Sequence, residues 1–209
     1  MTKLIKWIRH IAIAIVAVLI SLYLVIKVFV GAVNTPIPGK EFDATTVGSR
    51  ITVPDGFSIG LYAEKVENAR LLAFTLSGDL LVANPNLDQI ILLERDANGD
   101  GKADGRRILM GQLNGPNGMD FFDDWLYIAE TDAIGRIKFD HQTGTTRGNY
   151  ERIVTGLEPG GNHWRKTLRF GPDGLMYVTM GSSCNVCDEQ DERRGTMVRY
   201  NTDGSNEEI

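Results

Sequence analysis

The segment GDLLVA at residues 78–83 recurs as DDWLYIA at 123–129 and as DGLMYVT at 173–179. The centres of successive copies are 46 and 50 residues apart. Each copy follows a run that ends in Phe and precedes a further strand-like run. A unit of roughly 40–50 residues with four short strands is typical of a β-propeller blade. A plain β-sandwich would not require the same pattern three times, so the repeat favours an all-β propeller.

The runs around these copies also predict strands, because none has the 3.6-residue period of a helix. They include FSIGLYA from Phe57, RLLAFTL from Arg70, DLLVA from Asp79 and QIILLER from Gln89. Residues 50–209 are therefore predicted to form about three four-stranded blades.

The C-terminal residues Glu207–Ile209 resemble the first residues of another strand. A closed propeller ring has at least about four blades, so three blades would form an open arc with an unpaired edge. We therefore expect the 209 residues to be an incomplete part of a ring.

The N-terminal segment 1–33 has a different character from the rest of the chain. Its stretch Ile11–Ile26 carries no charge, and the longer run 8–33 is interrupted only by Lys27. About 20 apolar residues cross a bilayer as a helix. Basic residues before the span favour a cytoplasmic N-terminus. We expect one transmembrane helix that anchors the following domain on the periplasmic, extracytoplasmic side.

Small residues at Val30–Ala32 leave a cleaved signal peptide, and hence a secreted protein, as the alternative. Residues 34–49 contain Pro, Gly and Thr without periodicity and are predicted to be a linker. The chain has 22 Lys and Arg against 27 Asp and Glu, a net charge of −5. This balance argues against nucleic acid as a partner.

An acidic, glycine-rich loop follows the strand-like run QIILLER. Counted from Asp96 as position 1, side chains that end in oxygen atoms stand at positions 1, 3, 5 and 9. Gly101 at position 6 permits a sharp turn. The loop lacks the glutamate at position 12 and the flanking helices of an EF-hand. The predicted Ca²⁺ ligands are Asp96, Asn98, Asp100, the carbonyl of Lys102, and Asp104. A turn that holds no ion is the alternative.

Two cysteines, Cys184 and Cys187, stand three residues apart. A haem-attachment motif would need His at position 188, which is Asp, and a zinc site would need a second pair. In an exported protein a local disulfide is favoured, and a redox-active dithiol is the alternative.

A third segment, GGNHWRKTLRFGPDG from Gly160, places a histidine and a tryptophan before a strand-like run with cations close behind. A lone histidine is often structural. Loops at this end of propeller strands converge on the central channel, so His163 is equally a candidate catalyst. His10 lies beside the apolar run and His141 in a hairpin turn, so neither competes for this role.

The joined motifs GGNHW at 160–164, FGPDGLMYV at 170–178 and GSSCNVC at 181–187 resemble the glucose/sorbosone dehydrogenase family, in particular its membrane-associated sorbosone dehydrogenase-like members. NARLLA at 68–73 and the loop 96–104 extend the resemblance over most of residues 50–209. It implies a six-bladed propeller that uses pyrroloquinoline quinone (PQQ) to oxidise a sugar or a sugar-derived alcohol or aldehyde. The chain would then carry the N-terminal half and would show no PQQ-dependent turnover alone.

The resemblance also assigns roles. His163 matches the general base, which takes the hydroxyl proton while hydride passes to the quinone. PQQ carries three carboxylates, so Arg70 and Lys166 are the candidates to bind them. The reduced quinone would pass electrons to an acceptor of the quinone or cytochrome class.

Two residues depart from the family pattern. Soluble members place an acid that orients the base where this chain has Ser182. Related members often have Thr-Arg after the tryptophan, where this chain has Arg165-Lys166, and lysine does not replace a bidentate arginine. A calcium-stabilised propeller that only binds carbohydrate or a partner protein is the rival hypothesis. A propeller lactonase is a weaker one, since its channel-metal ligands cannot be assembled.

Overall fold

The computed structural model describes the backbone of residues 2–34 and 51–209. The chain divides into two compact units, Met1–Thr52 and Val53–Ile209. The predicted linker at 34–49 lies, apart from Asn34, outside the described residues.

The N-terminal unit contains one helix, α1, at Thr2–Asn34. The side chains described within it, Trp7 and residues 9–25, are exposed. No helical segment of the described residues is both long enough and apolar enough to cross a bilayer. The predicted helix is thus confirmed as a helix. The membrane anchor, the alternative signal peptide and the extracytoplasmic location stay predictions.

The second unit consists of three antiparallel sheets. The first contains β1 (Leu72–Phe74), β2 (Leu80–Asn84), β3 (Gln89–Leu93) and β4 (Arg106–Met110). The second contains β5 (Gly118–Phe122), β6 (Trp125–Ala129), β7 (Ala133–Asp140) and β8 (Thr145–Thr155). The third contains β9 (Lys166–Phe170), β10 (Met176–Met180) and β11 (Thr196–Tyr200). A 3-10 turn at Pro85–Leu87 joins β2 to β3.

The sequence repeat corresponds to a repeat of structure. Its three copies fall on β2, β6 and β10, each the second strand of its sheet, and the runs that end in Phe form β1, β5 and β9. In the third sheet, Glu208 makes an antiparallel bridge with Arg199 of β11, where a fourth strand would begin. The all-β class is confirmed, and closure of these sheets into a propeller stays a prediction.

The predicted strand FSIGLYA is wrong, because residues 57–63 form no strand. Phe57 is 73% exposed. Tyr62 and Ala63 pack against buried residues of the first sheet, but the backbone hydrogen bond from the Ala103 N–H to the Tyr62 carbonyl joins this segment to the loop before β4 and not to a strand. A strand-like composition cannot form a strand unless a neighbouring edge offers donors and acceptors in register.

Alternating burial along the strands builds the core between the sheets. In β6, Leu126 and Ile128 pack toward the first sheet, whereas Tyr127 and Ala129 pack toward the third. Successive side chains of a strand point to opposite faces, so one strand supplies both layers. Strand β6 is therefore covered on both faces, which explains its nearly continuous apolar sequence, WLYIA.

Strands β1, β5 and β9 run in the same sense, and β5 lies against β9. The Asn117 side chain donates to the Lys166 carbonyl at 3.1 Å, and the Phe170 N–H donates to Asp120 Oδ2 at 2.9 Å. We call the end at which β1, β5 and β9 begin the His163 end. The strand registers place the loop 96–104 at the opposite end, because β3 runs from Gln89 toward Leu93 away from the His163 end.

Candidate active site

His163 lies in an exposed turn directly before β9. Its ring Nε2 is 2.8 Å from Oδ1 of Asn185, in the loop that follows β10. A Cβ added at Gly181 would lie less than 3.0 Å from the carbonyl carbon of His163. The absence of a side chain at Gly181 therefore allows the histidine turn to sit directly on the end of β10.

A second glycine contact fixes the same two segments. Gly161 has a φ of +96°, and a Cβ there would lie less than 3.0 Å from the backbone of Ser183. The Asn162 N–H donates to the Ser183 carbonyl at 2.7 Å. Residues 160–163 and 181–183, two of the joined motifs in the sequence, are thus one packed unit.

Arg194 holds this unit from the side. Its guanidinium donates to the carbonyls of Gly160 at 2.7 Å, Glu158 at 3.1 Å and Gly181 at 3.4 Å. The carbonyls of Gly160 and Gly181 belong to the two packed segments, so the guanidinium of Arg194 links these segments.

Arg165 lies two residues after His163 and packs against Trp164. Its guanidinium carbon is 4.8 Å from the centre of the Trp164 ring, a cation–π contact. Its Nε is buried and has no hydrogen-bond partner among the described residues. Gly115, in the loop before β5, lies against the same indole ring and leaves room for it.

Arg70 is the charged neighbour of Arg165. Burial, and then the positive charge of Arg70, lower the pKa of the Arg165 guanidinium. Neither side chain forms an ion pair within residues 51–209. Arg70, from the segment before β1, thus lies within electrostatic range of Arg165, from the segment before β9. We call them the Arg70–Arg165 pair, and two unneutralised guanidiniums favour an anion between them.

Lys166 is buried, with 3% of its surface exposed. Its ammonium donates to the carbonyls of Thr131, of Glu158 at 3.2 Å and of Trp164 at 3.4 Å. Burial first, and then the charge of Arg194, lower the pKa of Lys166 to about 8. Its three N–H groups therefore already have acceptors, and the predicted contact with PQQ stays a prediction.

The loop that carries Thr131 is held by a buried carboxylate. Glu130, 4% exposed, accepts the backbone N–H of Asn114 at 2.7 Å and the hydroxyl of Tyr150 at 2.8 Å. Burial, and then the Glu130 charge, raise the pKa of Tyr150, which keeps its phenol a neutral donor. This network fixes the acceptor that Lys166 requires.

Cys184 and Cys187 form a disulfide, so this prediction is confirmed. The loop around it is fixed by Glu189, whose Oε1 accepts the Ser183 N–H at 2.6 Å. The disulfide thus lies at the His163 end and closes the ring that contains Asn185.

The predicted calcium loop is at the opposite end. Asp96 accepts the N–H groups of Gly99 at 2.7 Å and Gly101 at 2.8 Å, and Asp104 accepts that of Ala97 at 2.9 Å. Among the described residues, no cluster of three or more His, Cys, Asp or Glu stands ready to hold a metal. The predicted donors, which include Asn98, Asp100 and the Lys102 carbonyl, are oxygens suited to Ca²⁺, and its binding stays a prediction.

Three residues of this end were not predicted as functional: Arg165, Asn185 and Glu130. Asn185 stands inside the GSSCNVC motif, which is the signal that marks it. The importance of the other two depends on contacts between segments that are distant in the chain.

The fold is similar to that of solved carbohydrate-active proteins. The holo form of the pyranose dehydrogenase PQQ domain from Coprinopsis cinerea matches with a TM-score of 0.65 and 19% identity, over 73% of this chain and 38% of that one. The calcium structure of the Trichoderma reesei carbohydrate-active enzyme of family AA12 matches with a TM-score of 0.62 and 18% identity, over 72% and 39%. The chain spans about two fifths of the length of these structures.

No curated protein sequence matches the chain. A sequence model described as TrAA12-like matches residues 51–202, which are most of the chain. This match, together with a PQQ domain among the similar folds, confirms the resemblance to PQQ-dependent sugar dehydrogenases that the motifs predict. The chain belongs to the TrAA12-like family.

Proposed function

We propose that this chain provides the base and part of the cofactor site of a PQQ-dependent sugar dehydrogenase of the sorbosone or aldose type. The reaction removes hydride from a carbon that bears a hydroxyl and a proton from that hydroxyl, and it leaves a carbonyl. Membership of the TrAA12-like family supports sugar oxidation in general. The substrate class and the roles of individual residues are our proposal.

The observation that carries the proposal is an exposed histidine two residues before an arginine, Arg165, whose buried Nε has no acceptor among the described residues. An incoming carboxylate would give the buried Nε of Arg165 the acceptor that it lacks and would relieve the repulsion within the Arg70–Arg165 pair. Charge-assisted hydrogen bonds of this kind are the strong ones. The residues present therefore fit a polycarboxylate such as PQQ.

The Trp164 indole adds a flat apolar surface at this site. The indole packs against Gly115 and makes a cation–π contact with the Arg165 guanidinium. The indole thereby holds the cation in place before any ligand arrives. Affinity rises when a binding group is ordered in advance, since less freedom is lost on association.

His163 is the proposed base. The Asn185 Oδ1 can only accept a hydrogen bond, so Nε2 carries the ring proton and the lone pair stands on Nδ1. Nδ1 then takes the hydroxyl proton. When bound, PQQ supplies the two-electron acceptor for the hydride.

The buried Lys166 and the half-buried Arg194 support these groups without touching the reacting atoms. Lys166 and Arg194 bind backbone carbonyls around the turn of His163, so they keep its backbone in place. Ca²⁺ in the loop 96–104 would stabilise the opposite end of the first sheet, and we assign it no part in the chemistry.

The test starts from binding, because the chain spans about two fifths of the structures that it resembles. PQQ is titrated into the full chain by calorimetry, and sugars are titrated with and without PQQ. We expect saturable PQQ binding and sugar binding that requires PQQ. Sugar binding without any PQQ binding would contradict the proposal and favour the non-catalytic carbohydrate-binding alternative.

A further inference from the structure

The side chain that contacts His163 lies inside the ring closed by the disulfide. Asn185 stands between Cys184 and Cys187, and its Oδ1 is 2.8 Å from Nε2 of the histidine. Val186, the other residue of this ring, is 94% exposed and points away from the packed segments. Of these two neighbours, one contacts the imidazole and the other is free in solvent.

The loop is fixed at points on both sides of Asn185. Before it, the Ser183 carbonyl accepts the Asn162 N–H at 2.7 Å, and the Ser183 N–H donates to Glu189 at 2.6 Å. After it, the Cys187 sulfur lies 3.2 Å from the Ser183 hydroxyl. The disulfide is the one covalent link among these contacts, and it limits how far Asn185 can move from His163.

The electrostatic surroundings do not supply another partner for the ring. Two charged groups next to the packed segments bind backbone: Arg194 donates to carbonyls, and Glu189 accepts the Ser183 N–H. Lys166 is directed at three carbonyls, and Arg165 at Trp164. Ser182, where the resemblance leads one to expect an orienting acid, has no hydrogen bond from its side chain among the described residues.

We propose that Asn185, braced by the Cys184–Cys187 disulfide, is the positioning residue that fixes the orientation and the tautomer of His163. The Asn185 side chain is a neutral hydrogen-bond acceptor, and it takes over the role of the orienting acid that the resemblance leads one to expect at Ser182. A catalytic role for this contact rests on the proposed function. The contact between Asn185 and His163 itself does not depend on that function.

The proposal predicts the protonation of the ring in the full chain, with or without PQQ. Histidine tautomers are read from the ¹⁵N shifts of the imidazole in a protein labelled at its three histidines, at a pH where the rings are neutral. His163→Gln identifies the signal. We expect one tautomer, with the proton on Nε2.

Two variants of equal size separate the acceptor from the shape of the side chain. Asn185→Asp keeps an oxygen acceptor and should keep the single tautomer, whereas Asn185→Leu removes it and should give a mixture. Replacing both cysteines, in Cys184→Ser/Cys187→Ser, should give the same mixture although Asn185 remains. Val186→Ala, within the same ring, should change nothing.

Unfolding curves show whether each variant retains the fold. The tautomer of His163 in the wild type, with its disulfide intact, tests the proposal even if a variant does not fold. A mixture of tautomers in the wild type would overturn the proposal. A single tautomer that survives Asn185→Leu would overturn the role of Asn185, and one that survives the double serine variant would overturn the role of the disulfide. Failure of the chain to bind PQQ would contradict the proposed function and leave this result standing.

Discussion

At the scale of single residues, Arg165 is held by Trp164 on one face and has a buried Nε without an acceptor. We predict that Arg165→Gln weakens PQQ binding by roughly 10–100-fold, because a charge-assisted hydrogen bond contributes about 1.5–3 kcal/mol. Calorimetry of the full chain measures the change. Arg147→Gln is the matched control, since Arg147 pairs with Asp140 at the opposite end. Equal affinities in the two variants would remove Arg165 from the cofactor site.

Lys166 gives a prediction about pH. Its pKa is about 8 in the folded chain and near 10.5 when unfolded, so between these values the unfolded chain binds more protons. The free energy of unfolding should therefore rise with pH across this window, by roughly 3 kcal/mol when complete. Lys166→Met should lack this rise. Urea unfolding at several pH values from 7 to 10.5 tests it, and parallel curves for the two proteins would contradict it.

The sequence allowed the histidine segment to be predicted, but not its surroundings. The motif GGNHW marked His163 as a candidate catalyst, and the motif GSSCNVC marked the two cysteines as a candidate disulfide. The electrostatic interaction of Arg165 with Arg70, and the contact of His163 with Asn185, join segments that are separate in the chain. No local pattern encodes such contacts, because the packing of separate loops determines them.

At the scale of elements, the turn of His163 sits on Gly181 and leaves no room for a side chain. We predict that Gly181→Ala lowers the free energy of unfolding by about 1–3 kcal/mol, since the clash is with backbone. Gly160→Ala is the matched control, because a Cβ there meets nothing within 4 Å. It should change stability by less than about 0.5 kcal/mol. Chemical denaturation compares the two, and equal stability would refute the close approach.

The loop 96–104 provides a second prediction at this scale. If Ca²⁺ binds the folded loop, a chelator should lower the melting temperature of the wild type, because a ligand bound only to the native state stabilises it. Asp100→Ala should abolish this sensitivity, while Asp203→Ala, in another exposed turn, should preserve it. A wild type that does not respond to chelator would leave the loop as a turn without an ion.

Strands were predicted well where the repeat supported them. The apolar β2, β6 and β10 recur in sequence and in structure. The strand from Phe57 was wrong because composition does not reveal whether a partner edge exists. The long β8 has mostly exposed residues and a polar sequence, so its pairing with β7 leaves little hydrophobic signal.

At the scale of the second unit, the three sheets share two core layers and present two different ends. The His163 end gathers cations, glycines and the disulfide, whereas the opposite end carries acidic turns and the predicted calcium loop. This division follows from strand direction, since hydrogen bonds between neighbouring sheets place the starts of β1, β5 and β9 at the same end. The repeat predicted the sheets, but closure of a ring stays a prediction.

The central claim is that PQQ binds at the His163 end. Hydrogen exchange of the full chain, with and without PQQ, tests it most directly. We expect slower exchange in peptides that cover residues 68–73, 160–170 and 181–189, and unchanged exchange in the loop 96–104. Protection confined to that loop, or no protection at saturating PQQ, would contradict it.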